Sequence, residues 1–230
     1  MLCRRAVDAI LRSRRVHPRV RSIQSGTPMY ATYLIIAITC VISFLAFRNE
    51  KLISDLILWP PAISRGKQYY RLISYGFIHA DGQHLLFNMI TLFFFGRLIE
   101  QFVMGYVGTL GFAAFYLSAI VVSILPTYMK NIGNPAYRSL GASGAVSAVL
   151  FGFVLLQPWT TIYIFFIPCP AIVYAVVYIA YSIYMDRQNS DNINHSAHLW
   201  GAAYGVLFLL AMEPRLFGVF LQALLQPDFR

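Results

Sequence analysis

Six long apolar stretches constrain the fold of this chain more than any other feature of its sequence. A helix needs about 20 mostly apolar residues to cross a hydrocarbon core of about 30 Å, and most of these stretches approach that length. The strict two-residue alternation that marks transmembrane strands is absent. The sequence therefore predicts six membrane-spanning helices, of which the fourth is short and the fifth long, over residues 30–47, 84–103, 106–125, 142–157, 161–185 and 196–213.

The composition supports this interpretation. Of the 230 residues, 58% are hydrophobic and 12% are charged, and the mean hydropathy is +0.62, which is more apolar surface than one soluble core of this size would use. We therefore expect an all-α polytopic membrane protein in contact with the lipid bilayer. Its predicted parts are an Arg-rich segment (1–29), a six-helix domain (30–213) and a C-terminal tail (214–230) that is too short to span and could lie along the membrane surface.

The net charge of +9 is concentrated in the N-terminal segment, which we expect to be poorly ordered. Three interpretations remain open for this segment. It could be a cytoplasmic tail that follows the positive-inside rule, a transit peptide, or a leader translated from upstream of a true start at Met29. The basic residues of the segment are Arg4, Arg5, Arg12, Arg14, Arg15, Arg19 and Arg21.

Polar side chains occur at the starts of the second, fourth and sixth predicted helices. Helices of even number begin at the same membrane face, so these groups should lie within about 10 Å of one face. With the N-terminus inside, this is the outer face, although the basic residues of the first outer loop weaken that orientation. The groups are His84 with Asn88, then Ser143 with Gly141 and Gly144, and finally His195 and His198 ahead of Gly201 and Gly205.

Small residues recur every four positions in the fourth helix, at Gly144, Ala148 and Gly152, and also in the sixth helix. This spacing lets two membrane helices approach backbone to backbone. Such an approach would bring Ser143 near His198, and a serine needs a neighbouring base to act as a nucleophile. Taken alone, Ser143 could be a packing residue, and His195 is a second reachable base on the same helix face.

Three motifs together resemble those of the rhomboid intramembrane serine proteases. They are G-x-S-G at residues 141–144, H-x-x-x-N at residues 84–88 and A-H-x-x-G-x-x-x-G at residues 197–205. The resemblance extends from about residue 30 to about residue 212, and the stretch "YYRLISYGFIHADGQH" is similar to the membrane-embedded first loop of that family. It implies a six-transmembrane-helix rhomboid-like bundle with a membrane-embedded first loop.

The resemblance also implies roles for particular residues. Ser143 would be the nucleophile and His198 the general base of a two-member dyad. The oxyanion would be held by the Ser143 backbone N–H and the side chains of His84 and Asn88. One position departs from the family pattern, because the aromatic residue on which the histidine often stacks is replaced by Ser147. The glycines that would pack the helices at the site are Gly141, Gly144, Gly201 and Gly205.

The implied activity is endoproteolysis of transmembrane protein substrates near the outer membrane face, without a cofactor, metal ion or nucleic acid. A bacterial inner membrane is the favoured location, and a mitochondrial inner membrane is the alternative. A catalytically inactive rhomboid-like protein that binds or escorts membrane proteins is a second functional interpretation. A zinc site is a third, built from His79, His84, His195 and His198, but no carboxylate or cysteine joins these imidazoles.

Overall fold

A computed structural model describes residues 30–164, 166–188 and 191–227, and most of these residues are helical. The Arg-rich segment and the prediction of its disorder lie outside the described residues. A 3-10 turn at Tyr75–Phe77 follows the fourth helix. In chain order the α-helices are α1 Ala31–Ala46, α2 Glu50–Leu56, α3 Pro60–Ser64, α4 Arg71–Ser74, α5 Gly82–Val107, α6 Gly111–Lys130, α7 Ser143–Leu156, α8 Ala171–Gln188, α9 His195–Met212 and α10 Leu216–Leu225.

The fifth predicted helix starts later than expected. Residues Thr161–Ile164 (β1) and Ile167–Pro170 (β2) form an antiparallel hairpin in which Thr161 pairs with Pro170. Prolines cannot donate a backbone hydrogen bond and clash with the preceding turn of a helix, so Pro168 and Pro170 exclude a helix across this stretch. The prediction of a helix over 161–170 was therefore wrong, and α8 begins immediately after the second proline.

By length and composition, two of the described helices, α5 and α6, can each cross a membrane alone. A third span is possible if α9 and α10, which are bent by 115° relative to each other, are counted as one. α1 and α7 are apolar but have only 16 and 14 residues. The four tyrosines of α8 and its polar C-terminal end lower its hydropathy. The predicted count of six spans is therefore not confirmed, whereas an integral membrane protein built from helices is.

The core is built around α7, in which 13 of the 14 residues are buried. Helices α5, α6 and α9 pack around it, and large aromatic side chains such as Phe102, Phe115 and Tyr116 are fully enclosed. On the outside of the bundle the pattern is reversed, because apolar side chains such as Leu34 and Phe94 are exposed. Apolar side chains on the outer surface are typical of helices whose solvent is lipid.

Glu100 is a buried acidic residue within a helix that the sequence predicts to be mostly apolar. Its carboxylate accepts hydrogen bonds from the backbone N–H groups of Ala31 (2.9 Å) and Thr32 (3.0 Å) and from the Thr32 hydroxyl (2.6 Å). The first N–H groups of a helix have no partner within that helix. Glu100 of α5 therefore caps the start of α1 and fixes the two helices to each other.

We expect Glu100→Ala to lower the free energy of unfolding by about 1–3 kcal/mol, because it leaves these buried donors without an acceptor. Thermal or denaturant unfolding of the purified protein in detergent measures the change. Glu50→Ala is the matched control, because Glu50 is an exposed acidic residue in the first turn of α2. Equal stability of the two variants would contradict the capping role.

Candidate active site

The fold places Ser143 at the first position of α7, directly after a sharp turn of the backbone. Gly141 forms this turn with φ of +116°, a conformation that residues with a side chain rarely adopt. A Cβ atom at Gly141 would also lie 2.5 Å from Cε1 of His84. Glycine is therefore required here both by the backbone angle and by the close approach of the imidazole of α5.

Backbone hydrogen bonds attach the segment before Ser143 to the first loop. Ser139 and Leu58 exchange two bonds of 3.0 and 3.2 Å, and the Gly141 N–H donates to the carbonyl of Tyr75 at 2.9 Å. The loop itself is held by Arg71, which is buried and donates to the carbonyls of Ser54 (2.7 Å) and Ile57 (2.8 Å). These bonds fix the turn at Gly141, which precedes Ser143, to the first loop.

His79 is fully buried and connects this loop to the turn that precedes Ser143. Its Nε2 accepts from the Ala142 N–H at 3.4 Å, and its Nδ1 lies 2.9 Å from the hydroxyl of Ser43. Accepting at Nε2 requires a neutral ring with its proton on Nδ1. Burial lowers the pKa of His79 to about 3, so the ring stays neutral at physiological pH. We interpret His79 as a structural residue that also packs its edge against His84, with ring centroids 4.9 Å apart.

The structure brings Ser143 and His198 together across α7 and α9. Ser143 Oγ lies 2.7 Å from His198 Nε2, which is hydrogen-bonding distance. The helices approach closely because their contact is made by small residues. A Cβ at Gly201 would overlap the carbonyl oxygen of Gly144, and a Cβ at Gly205 would overlap that of Ala148. The serine hydroxyl can therefore donate to the imidazole when His198 carries its proton on Nδ1.

His195, the other candidate base, has a different partner. Its Nε2 lies 3.1 Å from the carboxylate of Asp191, and its ring meets Tyr181 edge to face at 5.6 Å. The hydrogen bond from His195 lowers the pKa of the Asp191 carboxyl below its ordinary value. The carboxylate of Asp191 is thus bonded to His195, while His198 is bonded to Ser143.

The structure supplies an aromatic partner for His198 that the sequence analysis missed. The ring of Tyr178, from α8, lies at 29° to the imidazole with centroids 6.1 Å apart. Its hydroxyl is 2.7 Å from Oγ of Ser147, the position that departs from the motif pattern described above. Spacing within one helix could not reveal this contact, because the ring comes from another helix.

His84 and Asn88 lie on the same helix and line the same cavity as Ser143 and His198. The side-chain amide of Asn88 donates to the carbonyl of His84 at 2.9 Å and leaves a second N–H available. The cavity has a volume of about 1490 Å³ and also contacts Tyr178. Within the described part of the chain, no group of three or more His, Cys, Asp or Glu side chains is arranged to hold a metal ion.

Comparisons with known proteins identify the relatives of this chain. Residues 66–215 match the family model described as Rhomboid domain. Over 150 residues the chain is 36% identical to the RHOMBOID-like protein 12, mitochondrial, of Arabidopsis thaliana. That match covers 60% of this chain and 45% of the Arabidopsis protein, so the chain spans less than half of that relative.

Two further relatives come from a bacterium and a mammal. The chain is 28% identical over 180 residues to the Rhomboid protease GlpG of Haemophilus influenzae, with 76% of this chain and 87% of the relative covered. It is 31% identical over 138 residues to the Presenilin-associated rhomboid-like protein, mitochondrial, of Bos taurus, with 58% and 35% covered. The relatives thus include proteins named as proteases and proteins named only as rhomboid-like.

Proposed function

The chain belongs to the rhomboid family, and on that premise we propose that it is an intramembrane serine endopeptidase that cleaves transmembrane proteins. The observation that carries the proposal is the 2.7 Å contact between Ser143 Oγ and His198 Nε2 at the wall of a large cavity. A serine becomes a nucleophile when a base within hydrogen-bond reach can accept its proton. The dyad needs neither a cofactor nor a metal ion.

The reaction proceeds by acyl transfer. Ser143 Oγ attacks the carbonyl carbon of the scissile peptide bond while its proton passes to His198 Nε2. The imidazolium then gives this proton to the departing amine, which leaves an acyl-enzyme ester on Ser143. A water molecule attacks the ester with His198 again accepting a proton, and the released serine takes that proton back.

The negative charge that develops on the carbonyl oxygen needs donors aimed at it. The backbone N–H of Ser143 belongs to the first turn of α7, whose N–H groups have no partner within the helix. The helix dipole adds a partial positive charge at the same point. We assign the remaining donors to the side chains of His84 and Asn88, which line the cavity beside Ser143.

The cavity also meets two further requirements of the reaction. Its wall includes polar side chains such as Asn131, Asn134 and Asn194, so water needed for deacylation can enter. Ser143 and His198 lie in the first turns of their helices, so the site is near one end of the bundle. The substrate is a transmembrane protein whose helix unwinds near the membrane face, because an intact helix shields its own peptide bonds.

The test is cleavage of a model transmembrane substrate by the purified full chain in liposomes. Wild-type protein should cleave it, chelators should have no effect, and folded Ser143→Ala should be inactive. A wild-type protein no more active than Ser143→Ala would replace this proposal with the alternative of an inactive, partner-binding rhomboid-like protein. Loss of activity with a chelator would favour a metal enzyme.

Asn88→Ala should slow turnover by up to about 10²- to 10³-fold without abolishing it, because it removes one of several oxyanion donors. The measurement is kcat for the same substrate. Thr91→Ala is the matched control, because Thr91 also lines the cavity and also bonds to the carbonyl four residues earlier, at 2.8 Å. An unchanged kcat for Asn88→Ala would leave Asn88 with a packing role only.

For location we propose a mitochondrial membrane. A bacterial inner membrane is the location expected from the sequence, but relatives from a plant, a yeast and a mammal carry the word mitochondrial in their names. The Arg-rich segment has the composition of a transit peptide, which agrees with this location. N-terminal sequencing of the mature protein tests it. A trimmed start is expected, and a mature chain that begins at Met1 would contradict it.

A further inference from the structure

The contact between Tyr178 and His198 has a consequence for the proposed reaction. We infer that Tyr178 is a positioning residue that orients the imidazole of His198, and that it does so only while α8 is docked on α7. This inference rests on the proposed function, since it concerns the base of that reaction. Its first support is the near-parallel arrangement of the two rings, at 29° and 6.1 Å between centroids. Offset ring pairs at such distances attract each other and limit rotation of the smaller ring.

The tyrosine ring is itself held in place by α7. Its hydroxyl bonds to the buried Ser147 at 2.7 Å, and its ring packs against that of Phe151 at a tilt of 56° with centroids 5.5 Å apart. Ser147 and Phe151 lie four and eight residues after Ser143, so they follow the nucleophile along one face of the helix. The same face of α7 therefore carries the nucleophile and the groups that fix the ring beside its base.

In the family pattern, the ring that stacks on the histidine belongs to the same helix as the serine. Here that position on α7 is Ser147, and the ring beside His198 is that of Tyr178 on α8. A bulky side chain at position 147 would occupy the space that the tyrosine hydroxyl fills, because Ser147 is only 3% exposed. A small residue at 147 and an aromatic at 178 are thus complementary. Tyr178 thus orients His198 in place of an aromatic residue four positions after the serine.

Placing the ring on α8 makes the orientation of His198 depend on that helix. Only three of the 18 residues of α8 are buried, namely Ala171, Ala175 and Ser182. Apolar residues on its other faces, such as Val176 and Val177, are exposed. The helix therefore packs on the bundle along one side, against α9 as well as α7, and the bond between Tyr178 and Ser147 lies at the level of the active site. Separation of α8 from α7 would remove the ring from the imidazole.

The test compares Tyr178→Phe, which keeps the ring, with Tyr178→Ala, which removes it. Two experiments are made in liposomes: cleavage of a model substrate, which gives kcat and KM, and labelling of Ser143 by a fluorophosphonate, which gives a rate. Tyr178→Ala should lower kcat and the labelling rate by about 10- to 100-fold, because a small misplacement of a base has effects of this size. KM should change little, because substrate binding does not involve the base. Tyr178→Phe should stay within about fivefold of wild type.

A double variant, Ser147→Phe with Tyr178→Ala, returns a ring to α7 and should recover most of the lost labelling rate. Tyr184→Ala is the matched control, since Tyr184 is an exposed tyrosine of the same helix, and it should label like wild type. Wild-type labelling of Tyr178→Ala, or a double variant no faster than Tyr178→Ala, would overturn the positioning role. If Tyr178→Ala does not fold, Tyr178→Leu, which keeps an apolar side chain but removes the ring, takes its place in both comparisons. Failure of the proposed function is distinct, because wild type itself would then neither cleave nor be labelled.

Discussion

Replacing both Ser143 and His198 by alanine is expected to slow cleavage no more than either single replacement. Each single variant should lose activity by about 10⁴-fold or more, because a serine without its base is a poor nucleophile and the base alone has nothing to activate. The reason lies in the geometry, since the two side chains meet at 2.7 Å and we propose that they act as one unit. The measurement is kcat/KM for a model transmembrane substrate in liposomes.

His195→Ala is the control for this pair. Its imidazole bonds to Asp191 and not to the nucleophile, so its removal should cost far less activity than removal of His198. Two results would contradict the dyad. One is a double variant markedly slower than both singles, which would mean that two independent contributions were removed. The other is a His195→Ala variant as inactive as His198→Ala.

Gly201→Ala is expected to reduce cleavage by about 10²-fold or more although it touches no reacting atom. The added methyl would overlap the carbonyl oxygen of Gly144, so α9 must move away from α7 and lengthen the contact between Ser143 and His198. Gly201→Val should be more severe. The rate of fluorophosphonate labelling measures the effect in membrane-inserted protein, independently of any substrate.

Two other glycines provide matched controls. The nearest atoms to a methyl at Gly152, on α7, would be side-chain carbons of Ile99 and Leu209 at 3.3 Å, which can shift slightly. At Gly218, on α10, no described atom beyond the adjacent part of its own helix lies within 4 Å of such a methyl. Both alanine variants should label at close to the wild-type rate. Normal labelling of Gly201→Ala would show that this glycine does not set the distance between the two helices.

Much of the helical layout could be predicted because it depends on local patterns. The apolar stretches gave the positions of α1, α5, α7 and α9 to within about four residues, whereas α6 lies five residues later at both ends than predicted. The hairpin at 161–170 was missed because a short apolar run looks the same for a strand and for part of a buried helix. In that run the prolines distinguish a hairpin from a helix, and the hydropathy does not.

The meeting of Ser143 and His198 at the candidate site was predictable to the extent that it follows from helix starts and small-residue spacing. Gly144 and Gly201 indicate a close crossing, and a close crossing brings Ser143 to His198. Contacts across different helices have no such signature. The cap that Glu100 forms on α1 and the ring that Tyr178 places beside His198 depend on which residues face each other in three dimensions. The spacing of residues along one sequence does not show which residues of different helices face each other.

The proposed dyad is tested most directly by mapping covalent labelling by a fluorophosphonate in native membranes. Peptide mass spectrometry locates the adduct. We expect an adduct on Ser143, none on the neighbouring Ser139 or Ser147, and loss of labelling in folded His198→Ala. An adduct on another serine, or equal labelling of Ser143 with and without His198, would contradict the claim that these two residues form the catalytic unit.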